Sequence, residues 1–173
     1  MKKDLSSFES PAIRALGTLF AEQSAPLFIV GGWTRNLLLN LPASDIDVAS
    51  PLLPEQVLKL AEQSADAQAS IINPTLGTVE LRLCGERIEH TTFRKESYPA
   101  GGGHTPADVT IGVSIEEDAL RRDFSVNALY YDLHNKTVLD PTGRGLTDLK
   151  RRRIRTTTSD PSIIIRDDAL RLL

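Results

Sequence analysis

Two aspartates separated by one residue, Asp45 and Asp47 in the stretch DIDV, are the side chains of this sequence that most directly suggest chemistry. Successive side chains of a strand point to opposite faces, so both carboxylates would project from the same face. Two carboxylates that close repel each other unless a cation lies between them, and their hard oxygen atoms favour Mg²⁺ or Mn²⁺ over zinc. The pair therefore predicts a divalent metal site.

A glycine pair and an arginine precede the two aspartates. Gly31 and Gly32 follow an apolar run, and Arg35 comes three residues after them. Glycine lets the backbone approach a ligand closely, and the free N–H groups at the start of a helix can hold a phosphate. A DxD pattern or a glycine pair alone is common in surface strands and turns. Together these residues predict a phosphate cradle, an arginine and a metal pair in one cleft, as phosphoryl or nucleotidyl transfer requires.

Other titratable residues are harder to assign. Glu89 alternates with its neighbours in RIEHTTF, so it could face the same cleft as a third carboxylate or general base, or be an exposed strand glutamate. Both interpretations stay open. His90 and His104 lack partners at metal-ligand spacing, which favours ordinary core or surface roles. Cys84 lies in an alternating apolar pattern and is interpreted as a packing residue.

The elements that must position these residues are predicted from periodicity, caps and breakers. Ser10 and Pro11 open a helix, and Ser114 with Glu117 forms a capping box before another. In the first half of the chain we expect a helix from Pro11, a strand at 27–30, a helix at 34–39, an extended segment at 45–49 and a helix from Pro54. A hairpin of TVELRL and RIEHTTF, a loop at 96–112 and a helix over SIEEDALRRDFSVNAL should follow. The chain should end with strands LYYDL and VLD, a turn-rich DPTGRGLTDL and a final helix in DDALRLL. This mixture predicts an α+β fold.

Composition limits the classes of protein to consider. The chain has 173 residues, 40% of them apolar and 25% charged, with a net charge of −3. It has no run of eighteen apolar residues and no apolar segment after its first lysines, so we expect neither secretion nor membrane insertion, and a cytoplasmic location. The acidic balance argues against nucleic-acid binding by bulk charge. The basic run KRRRIR is interpreted as solvated surface, although it could contact nucleic acid locally.

Five ordered motifs carry a resemblance that covers the chain from Phe28 to its last residue. VGGWTRNLLL with DID, EHTTFRKESY, SIEEDALRRDFSVNAL, DPTGRGLTDL and DDALRLL are similar to the bacterial tRNA nucleotidyltransferase and poly(A) polymerase family, in the class II branch of the polymerase β superfamily. The resemblance implies a nucleotidyltransferase head with a small mixed or antiparallel sheet backed by helices. It also implies a template-independent enzyme that adds CCA to tRNA 3′ ends from CTP and ATP with Mg²⁺.

The resemblance assigns roles to particular residues. It implies that Asp45 and Asp47 hold the metal and that Gly32 and Arg35, beside Gly31, contact nucleotide phosphates. The remaining nucleotide-binding residues that it implies are Arg122, Asp123, Asn127, Asp168 and Arg171. The last two share a helix face, and a carboxylate with a guanidinium can pair with the amino group and acceptor of cytosine or adenine. One departure is Asn36, where the family usually has aspartate.

The resemblance also implies a domain organisation. We expect residues 1–140 to form the catalytic head, and 141–173 to be a linker and the truncated beginning of a helical neck, with RNA-binding body and tail domains absent from this chain. Within the same chemistry the alternatives are a poly(A) polymerase and a CC-adding or A-adding enzyme. From a different class, the alternative is a non-catalytic module that binds a nucleotide or a metal.

Overall fold

The chain folds into a mixed α+β structure, as predicted, and the computed structural model describes residues 5–43, 45–97 and 108–158. The α-helices in these ranges are α1 Pro11–Glu22, α2 Gly32–Leu38, α3 Pro54–Ala61, α4 Ile115–Arg121 and α5 Gly145–Lys150. The strands are β1 Phe28–Val30, β2 Asp47–Ser50, β3 Ala67–Asn73, β4 Thr78–Leu83, β5 Glu86–Thr92, β6 Arg94–Ser97, β7 Asp108–Ile111, β8 Tyr130–Asp132 and β9 Thr137–Leu139. None of the described helices is long and apolar enough to cross a membrane.

Seven strands form one sheet in the order β3-β4-β5-β2-β1-β8-β9. Strands β2 and β5 run parallel, whereas every other neighbouring pair in this sheet is antiparallel. The crossover from β2 to β5 contains α3 and the β3–β4 hairpin, since a parallel pair cannot be joined by a tight turn. This central parallel pair brings Asp47 next to Glu89.

Local sequence explains where several elements begin. Ser10 accepts a hydrogen bond from the Ile13 N–H at 3.2 Å, and Pro11 follows it, so α1 starts where the cap predicts. Ser114 and Glu117 exchange the two hydrogen bonds of a capping box at α4. These caps confirm both predicted helix starts.

The core lies between the sheet and the helices α1, α2 and α3. Its largest fully buried side chains include Phe20 of α1, Ile29 of β1 and Tyr131 of β8. A second cluster, which includes Phe28, Phe93 and Tyr130, packs beneath α4. Phe28 and Phe93 both contact the edge of the Tyr130 ring. Side chains that alternate along the strands therefore contribute to two separate apolar clusters.

Several predicted boundaries were wrong. The predicted loop at 96–112 contains part of β6 and all of β7, which pair as a small separate sheet, and 98–107 lie outside the described residues. Strand β3 was not predicted, because the first half of AQASIIN has no large apolar side chains and, at the edge of the sheet, none of its residues is fully buried. The helix after Ser114 ends at Arg121, and α5 occupies the second half of the segment that was expected to be a turn-rich connection. Cys84 is exposed in the β4–β5 turn with φ of 51°, so it is not a packing residue.

Residues 145–158 contact the same body as the preceding strands. Leu149 of α5 is buried in the main core, and Thr157 donates a 3.0 Å hydrogen bond to the Leu120 carbonyl. Gly145 packs so closely on the Ser125 carbonyl that a methyl group on it would lie 2.4 Å away. The proposed boundary at residue 140 stays a prediction.

Candidate active site

The predicted carboxylates line one cleft. Asp45, Asp47 and Glu89, together with Ile46 and Arg87, surround an open cleft of about 450 Å³. Asp47 begins β2 and lies directly opposite Glu89 in the parallel register, while the Glu89 N–H donates to the Ile46 carbonyl at 3.3 Å. Asp47 is therefore paired on both sides, with Val30 of β1 and Glu89 of β5. Asp45, predicted in the same extended segment, instead lies two residues before β2 begins.

The electrostatics of this cleft favour a cation. Although Asp47 is exposed to solvent, the surrounding protein desolvates its carboxylate and raises its pKa. The positive charge of Arg122 opposes this effect, and the negative charge of Asp45 adds to it. A cation bound between the two carboxylates would remove this repulsion. Two carboxylates supply hard oxygen donors, so the residues fit a divalent metal ion that completes its coordination with water and ligand oxygens.

The structure does not arrange a complete protein cage for such an ion. Among the described residues, no three His, Cys, Asp or Glu side chains are placed to hold a metal together. Glu89 lines the cleft but is not part of a preformed three-carboxylate cluster with Asp45 and Asp47. A site with two carboxylates is the arrangement that suits Mg²⁺, which retains several water ligands and binds substrate phosphates.

The glycine pair stands between the carboxylates and Arg35. Gly31 has φ of 70° and ψ of −138°, a conformation open only to glycine, and a methyl group on it would lie 3.8 Å from the Asp47 Oδ2 atom. A methyl group on Gly32 would lie 3.5 Å from an Nη atom of Arg35. Helix α2 begins at Gly32, two residues earlier than predicted. The backbone N–H groups of its first turn therefore follow directly after Gly31.

Arg35 is held by two asparagines. Its Nη1 donates to Asn127 Oδ1 at 2.5 Å, and its Nε and Nη2 donate to Asn36 Oδ1 at 3.1 and 2.9 Å. Asn36 also donates to the Pro42 carbonyl at 2.9 Å, a bond that an aspartate could not form. Asn36 therefore still orients Arg35, without a carboxylate charge, and connects α2 to the loop that precedes β2.

Asp123, another predicted nucleotide-binding residue, is connected to Arg35 through Asn127. Asn127 donates to Asp123 Oδ1 at 3.1 Å, so Arg35, Asn127 and Asp123 form one continuous network. Arg35 and Asn127 open onto a groove of about 580 Å³ between α2, the 3-10 helix Ser125–Asn127 and α5. Phe124, Arg152 and Arg153 are among the residues that line this groove. The sequence predicted a single cleft. The structure instead has a carboxylate cleft and a neighbouring groove.

Arg122 belongs to a buried charged network that the sequence did not reveal. Its Nη2 donates to Asp118 Oδ2 at 3.0 Å and its Nε to the Tyr130 hydroxyl at 2.9 Å. Arg121 binds the other oxygen of Asp118, Oδ1, at 2.8 Å. Both neighbouring arginines reach the same carboxylate because α4 ends at Arg121 and Arg122 has an extended backbone. The acidic run before Arg121 indicated only a favourable helix N-terminus, so the role of Asp118 was missed.

His90 has the core role that was favoured. Its side chain is fully buried against Phe20, and its Nε2 lies 2.7 Å from the Ser50 hydroxyl. Its Nδ1 has no hydrogen-bond partner among the described residues. Burial lowers the pKa of His90 to about 3, so the ring is neutral. His104, Asp168 and Arg171 lie outside the described residues.

Comparison with known proteins identifies relatives of this arrangement. Residues 27–155 match the poly A polymerase head domain. A CCA-adding enzyme of Bacillus pumilus is 36% identical over 162 residues, which are 94% of this chain and 38% of that protein. The chain thus spans about two fifths of the length of the relatives it matches.

Solved structures agree with this match. The crystal structure of the Bacillus stearothermophilus CCA-adding enzyme in complex with CTP superposes with a TM-score of 0.77 at 31% identity, covering 95% of this chain and 38% of that one. A tRNA nucleotidyltransferase solved with a primer tRNA and an incoming ATP analogue superposes with a TM-score of 0.65 at 27% identity, covering 83% of this chain and 39% of that one. The chain described here belongs to the poly A polymerase head domain family.

Proposed function

We propose that this chain is the catalytic head of a template-independent tRNA nucleotidyltransferase that adds C, C and A to tRNA 3′ ends from CTP and ATP. The observation that supports this most directly is the cleft in which Asp45, Asp47 and Glu89 meet beside Gly31. The relatives named above are CCA-adding enzymes, one of them solved with CTP. Since this chain spans about two fifths of the length of these relatives, the activity of the whole enzyme is proposed for it and is not taken over from them.

We propose that Asp45 and Asp47 hold a divalent metal ion, with Mg²⁺ the first candidate and Mn²⁺ the second. The family is metal-dependent. When bound, the ion would supply charge neutralisation at the reacting phosphate. The raised pKa of Asp47 and its repulsion by Asp45 support this assignment, because both effects are relieved by a cation.

The proposed roles of the other residues follow from their charges. The 3′ hydroxyl of the tRNA attacks the α-phosphorus of the nucleotide, and pyrophosphate leaves toward Gly31, Gly32 and Arg35. Gly31 and Gly32 leave room for a phosphate, and the first N–H groups of α2 donate to it. Arg35 and Arg122 offset the negative charge of the triphosphate. Glu89 is proposed to accept the proton of the attacking hydroxyl.

The groove beside the carboxylate cleft is proposed to hold the ribose and base of the nucleotide. Arg35 and Asn127, which line it and are hydrogen-bonded to each other, connect it to the phosphate end, and Phe124 contributes an apolar side chain to its lining. Asp123 is proposed to hold Asn127 in place there. Asp168 and Arg171, which lie outside the described residues, are proposed to select the base.

A cytoplasmic location of the protein also stays a prediction.

The experiment is to incubate the natural full-length protein with Mg²⁺, CTP, ATP and a tRNA transcript that lacks its CCA end, and to sequence the added nucleotides. We expect addition of C, C and A that then stops. Addition of A alone in long tracts would instead identify a poly(A) polymerase, and addition of only CC or only the final A would identify a specialised enzyme. Binding of CTP without any transfer would identify a non-catalytic module.

A further inference from the structure

A buried carboxylate connects the small β6–β7 sheet to Arg122. The Asp118 side chain is fully buried and accepts hydrogen bonds from the Arg94 backbone N–H at 3.1 Å, from Arg121 at 2.8 Å and from Arg122 at 3.0 Å. It also accepts from the Tyr130 hydroxyl at 2.5 Å. A carboxylate with this many donors is fixed in position, because removing any one of them leaves a buried charge less satisfied.

The network fixes the guanidinium of Arg122 on three sides. Asp118 holds Nη2, the Tyr130 hydroxyl holds Nε, and the guanidinium carbon lies 5.1 Å from the centroid of the Tyr130 ring. The remaining nitrogen, Nη1, has no hydrogen-bond partner within the described residues. A guanidinium held this way can donate to a ligand without first losing side-chain freedom.

We infer that Asp118 and Tyr130 are positioning residues that orient Arg122 toward the phosphates of the nucleotide. This inference rests on the proposed function, in which Arg122 contacts the nucleotide. Asp118 and Tyr130 are not among the residues that line the carboxylate cleft or the groove, and neither is Arg122, so the test must show both that Arg122 acts on the nucleotide and that Asp118 and Tyr130 act through it. Arg121, which binds the same carboxylate, is directed instead toward Glu96 at 3.4 Å.

The test uses the natural full-length protein and measures the affinity for CTP with Mg²⁺, together with KM and kcat for transfer. Tyr130→Phe removes only the hydroxyl and keeps the ring beneath the guanidinium, so it is the variant expected to fold. We expect this variant to raise KM for CTP about tenfold, which is the effect of losing one hydrogen bond to a charged group. Its kcat should stay within about twofold of that of the unmodified protein. Asp118→Asn should raise KM further, and Arg122→Gln at least as far.

A double-mutant cycle separates positioning from general support of the fold. In the Arg122→Gln background, Tyr130→Phe should have no further effect on CTP affinity, because its only route to the nucleotide is gone. Lys95→Gln, at an exposed cation of β6 that does not bind Asp118, is the matched control and should leave KM within about twofold of the unmodified protein. Equal and additive effects of Tyr130→Phe in both backgrounds would overturn the inference, as would an unchanged KM in Tyr130→Phe.

The outcomes also distinguish this inference from the function on which it rests. If Arg122→Gln leaves CTP affinity unchanged, the proposed contact between Arg122 and the nucleotide is wrong, and the inference is overturned with it. If Arg122→Gln weakens CTP binding but Tyr130→Phe and Asp118→Asn do not, the contact is supported and only the positioning role is overturned.

Discussion

Asp47 lies opposite Glu89 across the central parallel strand pair, at the first residue of β2. Because paired residues in neighbouring strands project to the same face, the register itself brings a second acidic side chain beside the first. This relationship depends on the crossover through α3 and the β3–β4 hairpin, so residues 42 positions apart in the sequence become neighbours by topology.

Metal affinity should depend on pH through Asp47. Burial raises the pKa of Asp47, and a carboxylate must be deprotonated to bind a metal. Lowering the pH should therefore weaken Mn²⁺ binding already above the usual aspartate pKa of about 3.9. The measurement is Mn²⁺ affinity by electron paramagnetic resonance across the acidic range. Affinity that does not change until the pH reaches the ordinary aspartate range would contradict this expectation.

Gly31→Ala should damage both the fold and the site. An alanine at φ of 70° and ψ of −138° is strained, which costs about 1–3 kcal/mol of unfolding free energy, and its methyl group would occupy the space beside Asp47, in ordinary contact with Oδ2 at 3.8 Å. Gly85→Ala is the control, because Gly85 also has a positive φ, of 78°, but no atom lies within 4 Å of the added methyl group. Thermal unfolding should show a loss of stability in both variants, whereas CTP binding should weaken only in Gly31→Ala. Equal CTP affinity in the two variants would rule out a phosphate site at Gly31.

His90 should make the fold sensitive to acid. Its pKa is lowered by burial to about 3, so below the ordinary histidine value the unfolded chain binds a proton that the folded chain does not. Stability is therefore fully present above pH 6.5 and is lost as the pH falls toward 3, by up to about 1.4 kcal/mol per pH unit.

The check on this second pH effect is the free energy of unfolding at several pH values in two variants. His90→Gln should flatten the loss between neutral and acidic pH, even if it lowers stability overall by disturbing the Ser50 contact. His134→Gln, at an exposed histidine, should leave the pH dependence as it is. If stability falls as steeply at acidic pH in His90→Gln as in the unmodified protein, groups other than His90 cause the loss.

The sequence predicted the parts of the site that depend on local pattern. The cap at Ser10, the capping box at Ser114 and the β4–β5 hairpin are each encoded within a few residues, and each was confirmed. The DxD pair and the glycine pair were identified for the same reason, since their chemistry depends on short spacings. Their meeting beside Glu89 was one of two open interpretations, because the register of parallel strands is not encoded locally.

The features that were missed depend on tertiary contacts. Asp118 lies in an acidic first turn that already had an explanation in the helix dipole, and only the folded chain shows that its side chain is buried beneath two arginines. The end of α4 at Arg121 was missed because Arg122 and Phe124 continue the helical pattern of apolar and polar residues. The bridge between Phe124 and Thr156 instead holds that segment extended.

The most direct test of the central claim is the rate of CMP transfer to tRNA by the natural full-length protein and its Asp45→Asn and Asp47→Asn variants, with Mn²⁺ affinity and unfolding measured in parallel. Each variant should lose about 10³-fold or more of the transfer rate and bind Mn²⁺ more weakly. Because the raised pKa of Asp47 means that its ionised form costs stability at neutral pH, Asp47→Asn should be at least as stable as the unmodified protein. Transfer at the unmodified rate in either folded variant would contradict the assignment of this carboxylate pair as the catalytic metal site.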